Sequence, residues 1–471
     1  MKNKRFKIIT NAKTYVPRGF YKVGGFVRDT YLGLDPDDID LLAVGYTPEE
    51  LEKTHTLTGK DFPVFRNKKG HEIAVPRLER KKNNDLTSSE GYKGFEVHTE
   101  NVTAVQDLRR RDLTINALLM LSNTEIFDPF GGVEDLNKKV LRHVSEAFAE
   151  DPVRVLRLAR FKGKFPDFSI AQDTKDLCFS MKDRLPYLTK ERVMKETRKA
   201  LMLARPSHYF RALLDMDVLD VLFPSLFALV GVLQNHRFHA EGDSFDHVML
   251  VLDNTARNPL ARLGALYHDI GKGVCAKAFD YECIDSLTAG AFKDHNNRDL
   301  LEPLLKKEFG KFSFHKKEKQ LISMVTEFHT YLPPLLGLKN KSLVKCFHKK
   351  GFPKTKEEYS VLVDVVVGDM RGHIHCIPKE GFKPRMTTPK ERTRLRRDKT
   401  LEAEDCVFLA GDSNLTEYKE VFAKLGSLYD FKPDIVKYKQ QYKDKKGVEP
   451  SIELIRMFIL TSSRDFLNNK A

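Results

Sequence analysis

The most restrictive feature of the sequence is the segment 21–44, where four local patterns follow one another in close order. The apolar run YKV ends in Gly24 and Gly25, and FVRDTYLG then has helical character. Asp38 and Asp40 precede the apolar run LLAV, which reads as a buried strand. Because similar short runs alternate with turns and helical stretches from about residue 20 to 145, the sequence predicts α/β structure there.

The Gly-Gly turn is suited to binding phosphate. Glycine permits a close approach of the backbone, and the free N–H groups at the start of a helix attract anions. Arg28, one turn into that helix, can add a charge-assisted hydrogen bond to the same phosphates. A Gly-Gly pair alone is most often a simple turn, so the assignment of a phosphate site here depends on the neighbouring motifs.

The acidic pair is suited to binding metal. Alternation along a strand would put Asp38 and Asp40 on one face, where two carboxylates can hold two hard cations about 4 Å apart. Glu72, at the start of the EIAV strand, is a candidate third carboxylate or an exposed residue. Since the chain has 66 acidic residues, an isolated Asp-x-Asp spacing also arises by chance.

Composition restricts the class of protein. Lys and Arg number 80 against 66 Asp and Glu, a net charge of +14 that suggests a polyanionic partner or simply a well-solvated surface. No run approaches the ~20 apolar residues needed to cross a bilayer, and the start lacks a secretory signal. We therefore expect a cytoplasmic protein without a membrane partner. Its six scattered cysteines fit reduced thiols.

Six motifs in chain order carry a resemblance. GGFVRDTYLGLDPDDID resembles the signature of class II tRNA nucleotidyltransferases and poly(A) polymerases, members of the polymerase β-like nucleotidyltransferase superfamily. The match continues with DLRRRDLTINAL, DPFGGVEDL, LRHV, EDPVRVLRLARF and ERVMKE. GKDFPVFRN and HEIAVPRLERK are similar to the corresponding segments of the bacterial CCA-adding enzymes of that family.

The resemblance and the helical periodicity after residue 146 together imply an α+β fold with four parts. These are a polymerase β-like nucleotidyltransferase α/β head (1–142), an all-helical neck and body (143–230), an HD-like helical domain (231–375) and a helical basic tail (376–471). The tail is a candidate tRNA contact because it is rich in Lys and Arg.

The implied activity is CCA addition without a nucleic-acid template. The tRNA 3′-hydroxyl would attack the α-phosphate of CTP twice and then of ATP, with Mg²⁺ as cofactor and pyrophosphate leaving. We expect tRNA, CTP and ATP as partners, and no DNA. Two alternatives stay open: a poly(A) polymerase of the same superfamily, and an RNA-binding protein with decayed catalysis.

In this family one helix replaces the template, and the matching residues are Asp151 and Arg154. Arg presents a fixed fork of donors and Asp only acceptors, so together they can match the edge of a base. Glu150 would orient the pair, and at 100° per residue Glu150, Arg154 and Arg157 lie within roughly a 60° arc.

The resemblance assigns further residues around this pair. Gly25 and Arg28 would hold the triphosphate, and Asp112 would orient the site. The nucleotide contacts it implies are Arg111, Arg157 and Arg160, in addition to the template pair. Without the neighbouring motifs, an Arg-rich helix would more often be a solvated face with salt bridges.

Residues 231–375 resemble HD phosphohydrolases, which remove phosphate from 2′,3′-cyclic or 2′-phosphorylated RNA ends and nucleotides. The candidate ligands of a divalent cation, Ni²⁺ or Mg²⁺, are His247, His268, Asp269 and Asp369.

The segment Asp280–Phe292 stands where related enzymes carry an HxHG motif, and it contains no histidine. This predicts weakened or lost phosphohydrolase activity unless Glu282, Asp285 or water fills the gap. By the same reasoning His236, His239 and His329 are expected to be structural or exposed.

Overall fold

The computed structural model describes most of the chain as two compact units. The described residues are 6–58, 63–81, 95–232, 234, 239, 241, 243–278, 294–332, 339–378, 406–410, 422–424, 426–432, 434–446, 450, 457–458, 461–463 and 465–467. The first unit comprises Met1–Leu203 and His208–Leu222, and the second Ala204–Ser207 and Phe223–Ala471. Among the described residues, no helix is both long and apolar enough to span a membrane.

The first unit is built on an eight-stranded mixed sheet in the order β1-β10-β9-β2-β3-β6-β5-β4. Two further pairs are β7 with β8, antiparallel, and β11 with β12, parallel. The strands are β1 (Lys7–Ile9), β2 (Gly19–Val23), β3 (Asp40–Val44), β4 (Thr56–Leu57), β5 (Val64–Arg66), β6 (Glu72–Ala74), β7 (Leu78–Lys81), β8 (Phe95–His98), β9 (Leu119–Ser122), β10 (Glu125–Phe127), β11 (Val140–Leu141) and β12 (Ser169–Ile170).

Helices follow and flank this sheet. They are α1 (Gly25–Leu32), α2 (Pro48–Glu52), α3 (Ala104–Arg109), α4 (Gly132–Lys138), α5 (Val153–Lys164), α6 (Gln172–Ser180), α7 (Lys190–Leu201), α8 (Ser207–Asp215) and α9 (Leu219–Leu222). Three short 3-10 helices span Thr114–Asn116, Glu146–Glu150 and Lys182–Tyr187.

Strand β3 lies at the centre of the sheet and is buried on both faces. Leu42 and Val44 belong to one apolar cluster, whereas Ala43 belongs to another with Phe65 and Ile73. A strand covered on both sides reads as a continuous apolar run, which explains LLAV. The predicted order of strand, glycine turn, helix and acidic strand is confirmed.

The second unit is mainly helical. Its elements are α10 (Pro224–Phe227), α11 (Ser244–Asn254), α12 (Pro259–Tyr267), α13 (Gly271–Ala278), α14 (Arg298–Lys311), α15 (Lys316–Phe328), α16 (Asn340–Phe347), α17 (Lys356–Gly372), β13 (Ile374–Pro378), β14 (Cys406–Ala410) and α18 (Ile435–Lys446), with 3-10 helices at His329–Tyr331 and Ser427–Asp430. Helices α11, α12, α15 and α17 pack together.

The predicted α+β fold class is confirmed, because an α/β sheet domain precedes a mostly helical remainder. The antiparallel pair of β13 and β14 was not predicted, and it joins residues on both sides of the expected boundary at 375. The four-part division of the chain stays a prediction.

Candidate active site

One cavity of about 770 Å³ in the first unit collects the residues that the sequence singled out there. Its walls come from α1, the start of β3, the segment 110–116, and helices α5 and α7. The predicted residues that line it are Gly25, Arg28, Asp38, Asp40, Glu72, Arg111, Asp112, Asp151, Arg154, Arg157 and Arg160. Motifs separated by more than a hundred residues therefore meet around one space.

Four carboxylates, those of Asp37, Asp38, Asp40 and Glu72, lie on the strand side of this cavity. Strand β3 begins at Asp40, so Asp38 lies on the connection before the strand rather than in it, and both residues line the cavity. Strands β3 and β6 are parallel and in register, with Asp40 opposite Glu72. Glu72 also accepts from Arg66 at 3.0 Å.

The carboxyl group of Asp40 lies in a negative environment. Loss of water at the cavity wall raises its pKa, as do the charges of Glu72 and Asp38, while Arg111 opposes the shift. Clustered carboxylate oxygens are the ligands that hard divalent cations prefer, and a cation would relieve this repulsion. The donor set therefore fits Mg²⁺.

The glycine turn brings an arginine close to the start of α1. Gly24 has φ +70, a left-handed conformation that favours glycine, and a Cβ there would stand 3.0 Å from Nη1 of Arg111. The backbone N–H of Gly24 donates to the carbonyl of Leu118 at 3.0 Å, which ties the turn to the sheet. A side chain at Gly24 would force the guanidinium group of Arg111 to shift slightly.

Arg28 is buried and its charge is already neutralised within the chain. Its Nε and Nη2 donate to both oxygens of Asp29 at 2.8 and 2.7 Å, and Nη1 donates to Asn116 at 2.5 Å. Asn116 donates to Asp112 at 3.1 Å, and Asp112 accepts from Arg157 at 2.9 and 2.6 Å. Sequence reasoning missed Asp29 and Asn116, although both lie inside the quoted motifs.

The predicted template pair lies at the start of α5. The helix begins at Val153, so Asp151 precedes it rather than lying on it, and its carboxylate accepts from the Val153 N–H at 3.2 Å and from Arg192 at 2.6 Å. Arg154 is in the first turn, mostly buried, and donates to the Ala147 carbonyl at 2.7 Å. Glu150 closes the preceding 3-10 helix.

The two remaining arginines of α5 are held by carboxylates. Arg160 donates to Glu196 at 2.6 Å, and Arg157 donates to Asp112. Burial opposes ionisation of Asp112, but Arg157 and hydrogen bonds from Asn116 and the Leu113 N–H hold its pKa well below the usual range.

The α7 residues that face the cavity were missed as site residues, although ERVMKE was recognised as a motif. They are Arg192, Lys195, Glu196 and Lys199. The signal available in the sequence was the spacing of these charged residues along one helix, which fits a single face.

The second unit contains a buried cluster of histidines and aspartates. His247 lies on α11, His268 and Asp269 directly follow α12, and Asp369 lies on α17. Nε2 of His247 is 3.0 Å from Oδ1 of Asp369, and Nε2 of His268 is 3.3 Å from Oδ2 of Asp269. The structure thus brings together all four residues predicted for the HD-like centre.

Two more histidines lie against this cluster as further candidate ligands, and the expectation of a missing ligand stays a prediction. Nε2 of His295 is 3.3 Å, and Nε2 of His329 is 3.4 Å, from Oδ1 of Asp269. A Cβ on Gly271 would collide with the His295 carbonyl, so glycine there permits the approach. His329 is fully buried rather than exposed. His236, Asp280–Phe292, and with it Glu282 and Asp285, lie outside the described residues.

Hydrogen bonds fix the orientation of the imidazoles. Nδ1 of His268 faces the Ala265 carbonyl at 2.7 Å, and Nδ1 of His329 faces the carbonyls of Val325 and Thr326 at 3.2 Å each. Since a carbonyl only accepts, each Nδ1 carries its proton and Nε2 is left to bind a cation. Burial lowers the pKa of His329, which keeps its imidazole neutral.

Glu241 fixes the orientation of two further imidazoles, those of His247 and His239. Its carboxylate accepts from Nδ1 of both His247, at 2.8 Å, and His239, at 2.9 Å. His239 therefore belongs to the surroundings of the cluster, with His373 beside it. The same carbonyl and carboxylate contacts commonly support histidines that ligate metals.

Two family models match the chain. "Poly A polymerase head domain" covers residues 20–142, and "Probable RNA and SrmB- binding site of polymerase A" covers residues 167–229. The multifunctional CCA protein of Mannheimia succiniciproducens is 39% identical over 369 residues, which is 75% of this chain and 84% of that protein. The chain belongs to the multifunctional CCA protein family.

Other members of the family match a shorter part. The multifunctional CCA protein of Herminiimonas arsenicoxydans is 47% identical over 262 residues, 54% of this chain and 62% of that protein. Among solved structures, a CCA-adding enzyme in complex with ATP has a TM-score of 0.53 at 20% identity, covering 95% of this chain and 85% of that one. The latter comparison shows a shared fold.

Proposed function

We propose that this chain adds C, C and A to the 3′ end of tRNA from CTP and ATP, without a nucleic-acid template. The observation that carries the proposal is the single cavity in which acidic residues at the start of β3 share a space with Asp151 and the arginines of α5. Membership of the multifunctional CCA protein family supports the choice of CCA addition over poly(A) synthesis.

Asp38 and Asp40 would hold magnesium, with Glu72 as a third candidate ligand. When bound, Mg²⁺ supplies charge neutralisation for the triphosphate and lowers the pKa of the attacking hydroxyl. The chain itself contributes a rigid carboxylate at the start of β3 and a second on the preceding connection. Glu72, opposite Asp40, raises the negative charge of this wall and so favours the cation.

The base would be selected by the start of α5. Asp151 offers acceptor oxygens and Arg154 offers donors, and their present partners, Arg192 and the Ala147 carbonyl, fix both side chains in position. A pair held in this way loses little conformational entropy when a base binds. Selection by fixed side chains explains how CTP and ATP can be distinguished from the other triphosphates without a template strand.

Phosphates would be bound by exchange of ion-pair partners. Arg28, Arg157 and Arg160 are each paired with a carboxylate in the described cavity wall. A triphosphate offers these guanidinium groups stronger bidentate acceptors, as it does Arg111. Gly25, at the first position of α1, would bring backbone N–H groups to the same phosphates.

The other parts of the chain extend this proposal. Residues 1–142 would form the catalytic head, 143–230 the neck and body, 231–375 the HD-like domain, and 376–471 a basic tail that contacts the tRNA backbone. An enzyme of tRNA ends that lacks a spanning helix among its described residues fits a cytoplasmic location.

The His-Asp cluster would give the chain a second activity, the hydrolysis of 2′,3′-cyclic or 2′-phosphate ends. His247, His268, Asp269 and Asp369 would hold a divalent cation, Ni²⁺ or Mg²⁺, and the first fits nitrogen ligands better. Nε2 of His268 and Oδ1 of Asp369 are buried and make no hydrogen bond within the described residues. Buried polar atoms left in this state fit a site that receives a cation.

The test supplies labelled CTP alone to a tRNA that ends before its CCA. The proposal predicts the addition of two residues and then arrest, and an Asp40→Asn variant of the same preparation should add none. A tRNA that stays unextended with CTP but is extended with ATP would instead identify a poly(A) polymerase.

A further inference from the structure

One carboxylate of the head cavity is paired with two cations that come from distant parts of the chain. Asp29, on α1, accepts from Nε and Nη2 of Arg28 at 2.8 and 2.7 Å, and from Nζ of Lys164 at 3.1 Å. Lys164 is the last residue of α5, and both Asp29 and Lys164 line the cavity. The group formed by Arg28, Asp29 and Lys164 therefore carries a net positive charge close to the glycine turn.

A second carboxylate of the same cavity region is shared in this way. Asp107 accepts from both Arg110 and Arg111, and Arg111 lines the cavity as an expected nucleotide contact. Arg157, in contrast, is the cation that pairs with Asp112. A carboxylate shared by two cations can release one of them to a phosphate and stay paired with the other. The cost of leaving a buried charge uncompensated is then avoided.

Lys164 is the member of this group that is most accessible from the cavity. Its side chain is 28% exposed, against 5% for Arg28 and 6% for Asp29. Arg28 is held by two hydrogen bonds to Asp29 and by one to Asn116. Within the part of the chain that the structure describes, Lys164 makes one hydrogen bond, that to Asp29, although an ammonium group has three donors. Two donors are therefore left for a ligand in the cavity.

The position of Lys164 along α5 matches the phosphate end of a bound nucleotide. Arg154, Arg157, Arg160 and Lys164 all line the cavity, and their spacing of three or four residues keeps them on one face of the helix. At 1.5 Å per residue, Arg154 and Lys164 are about 15 Å apart along the helix axis. With the base at Arg154, the terminal phosphates would lie where Asp29 joins α1 to the end of α5.

We propose that Lys164 binds the terminal phosphates of the incoming CTP or ATP, and the same phosphates in the leaving pyrophosphate. The inference rests on the proposed nucleotidyl transfer and adds a phosphate-binding residue to it. In that transfer the tRNA 3′-oxygen bonds to the α-phosphorus, and the bond from this phosphorus to the bridging oxygen breaks. The electron pair stays with the pyrophosphate, and the ammonium group of Lys164 offsets the negative charge that develops there.

Aromatic rings of α5 and the residue after it hold the two cations in place. Cζ of Arg28 lies 5.3 Å from the ring centroids of both Phe161 and Phe165, and Nζ of Lys164 lies 5.7 Å from that of Phe165. Aromatic faces attract cations at such distances. Both rings are buried, and a charge beside buried apolar groups attracts a phosphate more strongly than the same charge in open water.

The experiment compares ligands that differ only in their phosphates. Isothermal titration calorimetry measures the dissociation constants of CTP, pyrophosphate and CMP for the full chain and for Lys164→Met, with Mg²⁺ present. Loss of one charge-assisted hydrogen bond should raise the constants of CTP and pyrophosphate about 10-fold and leave that of CMP unchanged. Lys164→Arg keeps a cation and should retain most of the affinity. The control is Lys138→Met, an exposed lysine of α4 that pairs with Glu134 outside the cavity and should bind all three ligands like wild type.

The pattern across ligands separates the outcomes. Equal weakening of CTP and CMP binding in Lys164→Met would give this residue a structural role only, and unchanged binding of CTP and pyrophosphate would remove it from the phosphate site. Either result overturns the inference and leaves the proposed function standing, provided that wild type adds two C residues to tRNA. A wild type that neither extends tRNA nor binds CTP would contradict both. Circular dichroism melts verify that each variant is folded, as expected since Arg28 still pairs with Asp29.

Discussion

The head cavity and the His-Asp cluster differ in the groups that face their carboxylates. In the cavity the arginines expected to meet phosphate are paired with carboxylates of the same chain, for example Arg157 with Asp112 at 2.6 Å and Arg160 with Glu196 at 2.6 Å. In the cluster, Asp269 and Asp369 face imidazoles whose Nδ1 protons are mostly committed elsewhere.

The difference indicates what each site is prepared to receive. Paired arginines keep a buried wall neutral until a polyanion takes the place of the carboxylates, so the cavity is organised for an anionic substrate. In the cluster the partners of the carboxylates are Lys272 and imidazoles, and the carboxylates beside them raise the pKa of His268 and of His373 although burial opposes this. Under our proposal, the buried carboxylates and imidazoles of the cluster hold a cation instead.

The largest expected effect is the loss of nucleotide incorporation on substitution of Asp40, which tests the acidic side of the cavity. Asp40→Ala should reduce nucleotide incorporation on the order of 10³-fold or more, because the cation that assists the transfer loses a rigid ligand. Binding of tRNA, measured by filter retention, should stay unchanged. Asp35→Ala removes a carboxylate that does not line the cavity and should be active. Near-normal incorporation by Asp40→Ala would refute the assignment.

Removal of cations should distinguish the activities of the two regions by the metal that restores each. After chelation and return of Mg²⁺ alone, we expect nucleotide incorporation to recover, because carboxylates bind magnesium readily. Hydrolysis of a 2′,3′-cyclic nucleotide to the nucleoside monophosphate should recover about 10-fold better with Ni²⁺, because imidazoles prefer it. His268→Ala should abolish that hydrolysis. Equal recovery of both activities with Mg²⁺ alone would contradict the comparison.

Base selection should depend on Asp151. Asp151→Ala should weaken discrimination of CTP and ATP from the other triphosphates by roughly 10- to 100-fold, the value of one good bidentate contact to a base. Affinity for tRNA should change less. Asp176→Ala, an exposed carboxylate on α6, is the control. A nucleotide preference unchanged in Asp151→Ala would count against recognition by the start of α5.

The smallest effect concerns stability of the cavity wall. Asp112→Asn should lower the free energy of unfolding of the first unit by about 1–3 kcal/mol at pH 7, because Arg157 loses its charged partner. The pKa of Asp112 is held below its usual range in the fold, so its stabilisation is present at neutral pH.

The pH dependence provides the check on that prediction. As the pH falls below about 4, the unfolded chain takes up the proton first and the advantage of the ionised carboxylate shrinks. Urea unfolding followed by circular dichroism should therefore show wild type and Asp112→Asn converging at acid pH. A gap that widens on acidification would contradict the role given to this ion pair.

Much of the head could be predicted because its residues lie in short, contiguous patterns. The order of YKV, Gly24-Gly25, helix and DLLAV fixes one strand-helix-strand unit, and the structure has it. The pairing of Asp40 with Glu72 could not be read from the sequence, because it depends on the register between β3 and β6. The neutralisation of Arg28 by its neighbour Asp29 depends on side-chain rotamers.

The cluster was harder to predict because its ligands are distant in sequence. His295 and His329 meet Asp269 only through the packing of α12 and α15 and through the close approach at Gly271. The histidine-free segment Asp280–Phe292, which predicted a lost ligand, lies outside the described residues. The glycine after His268-Asp269-Ile270 was the available signal that another backbone approaches there.

The central claim is that fixed side chains at one cavity specify a three-residue sequence. The most direct test offers a tRNA lacking its CCA to the enzyme with all four nucleoside triphosphates at equal concentration, and sequences the new 3′ ends. The account predicts CCA on nearly every extended molecule, followed by arrest. A run of adenosines, or a mixture of sequences, would contradict it.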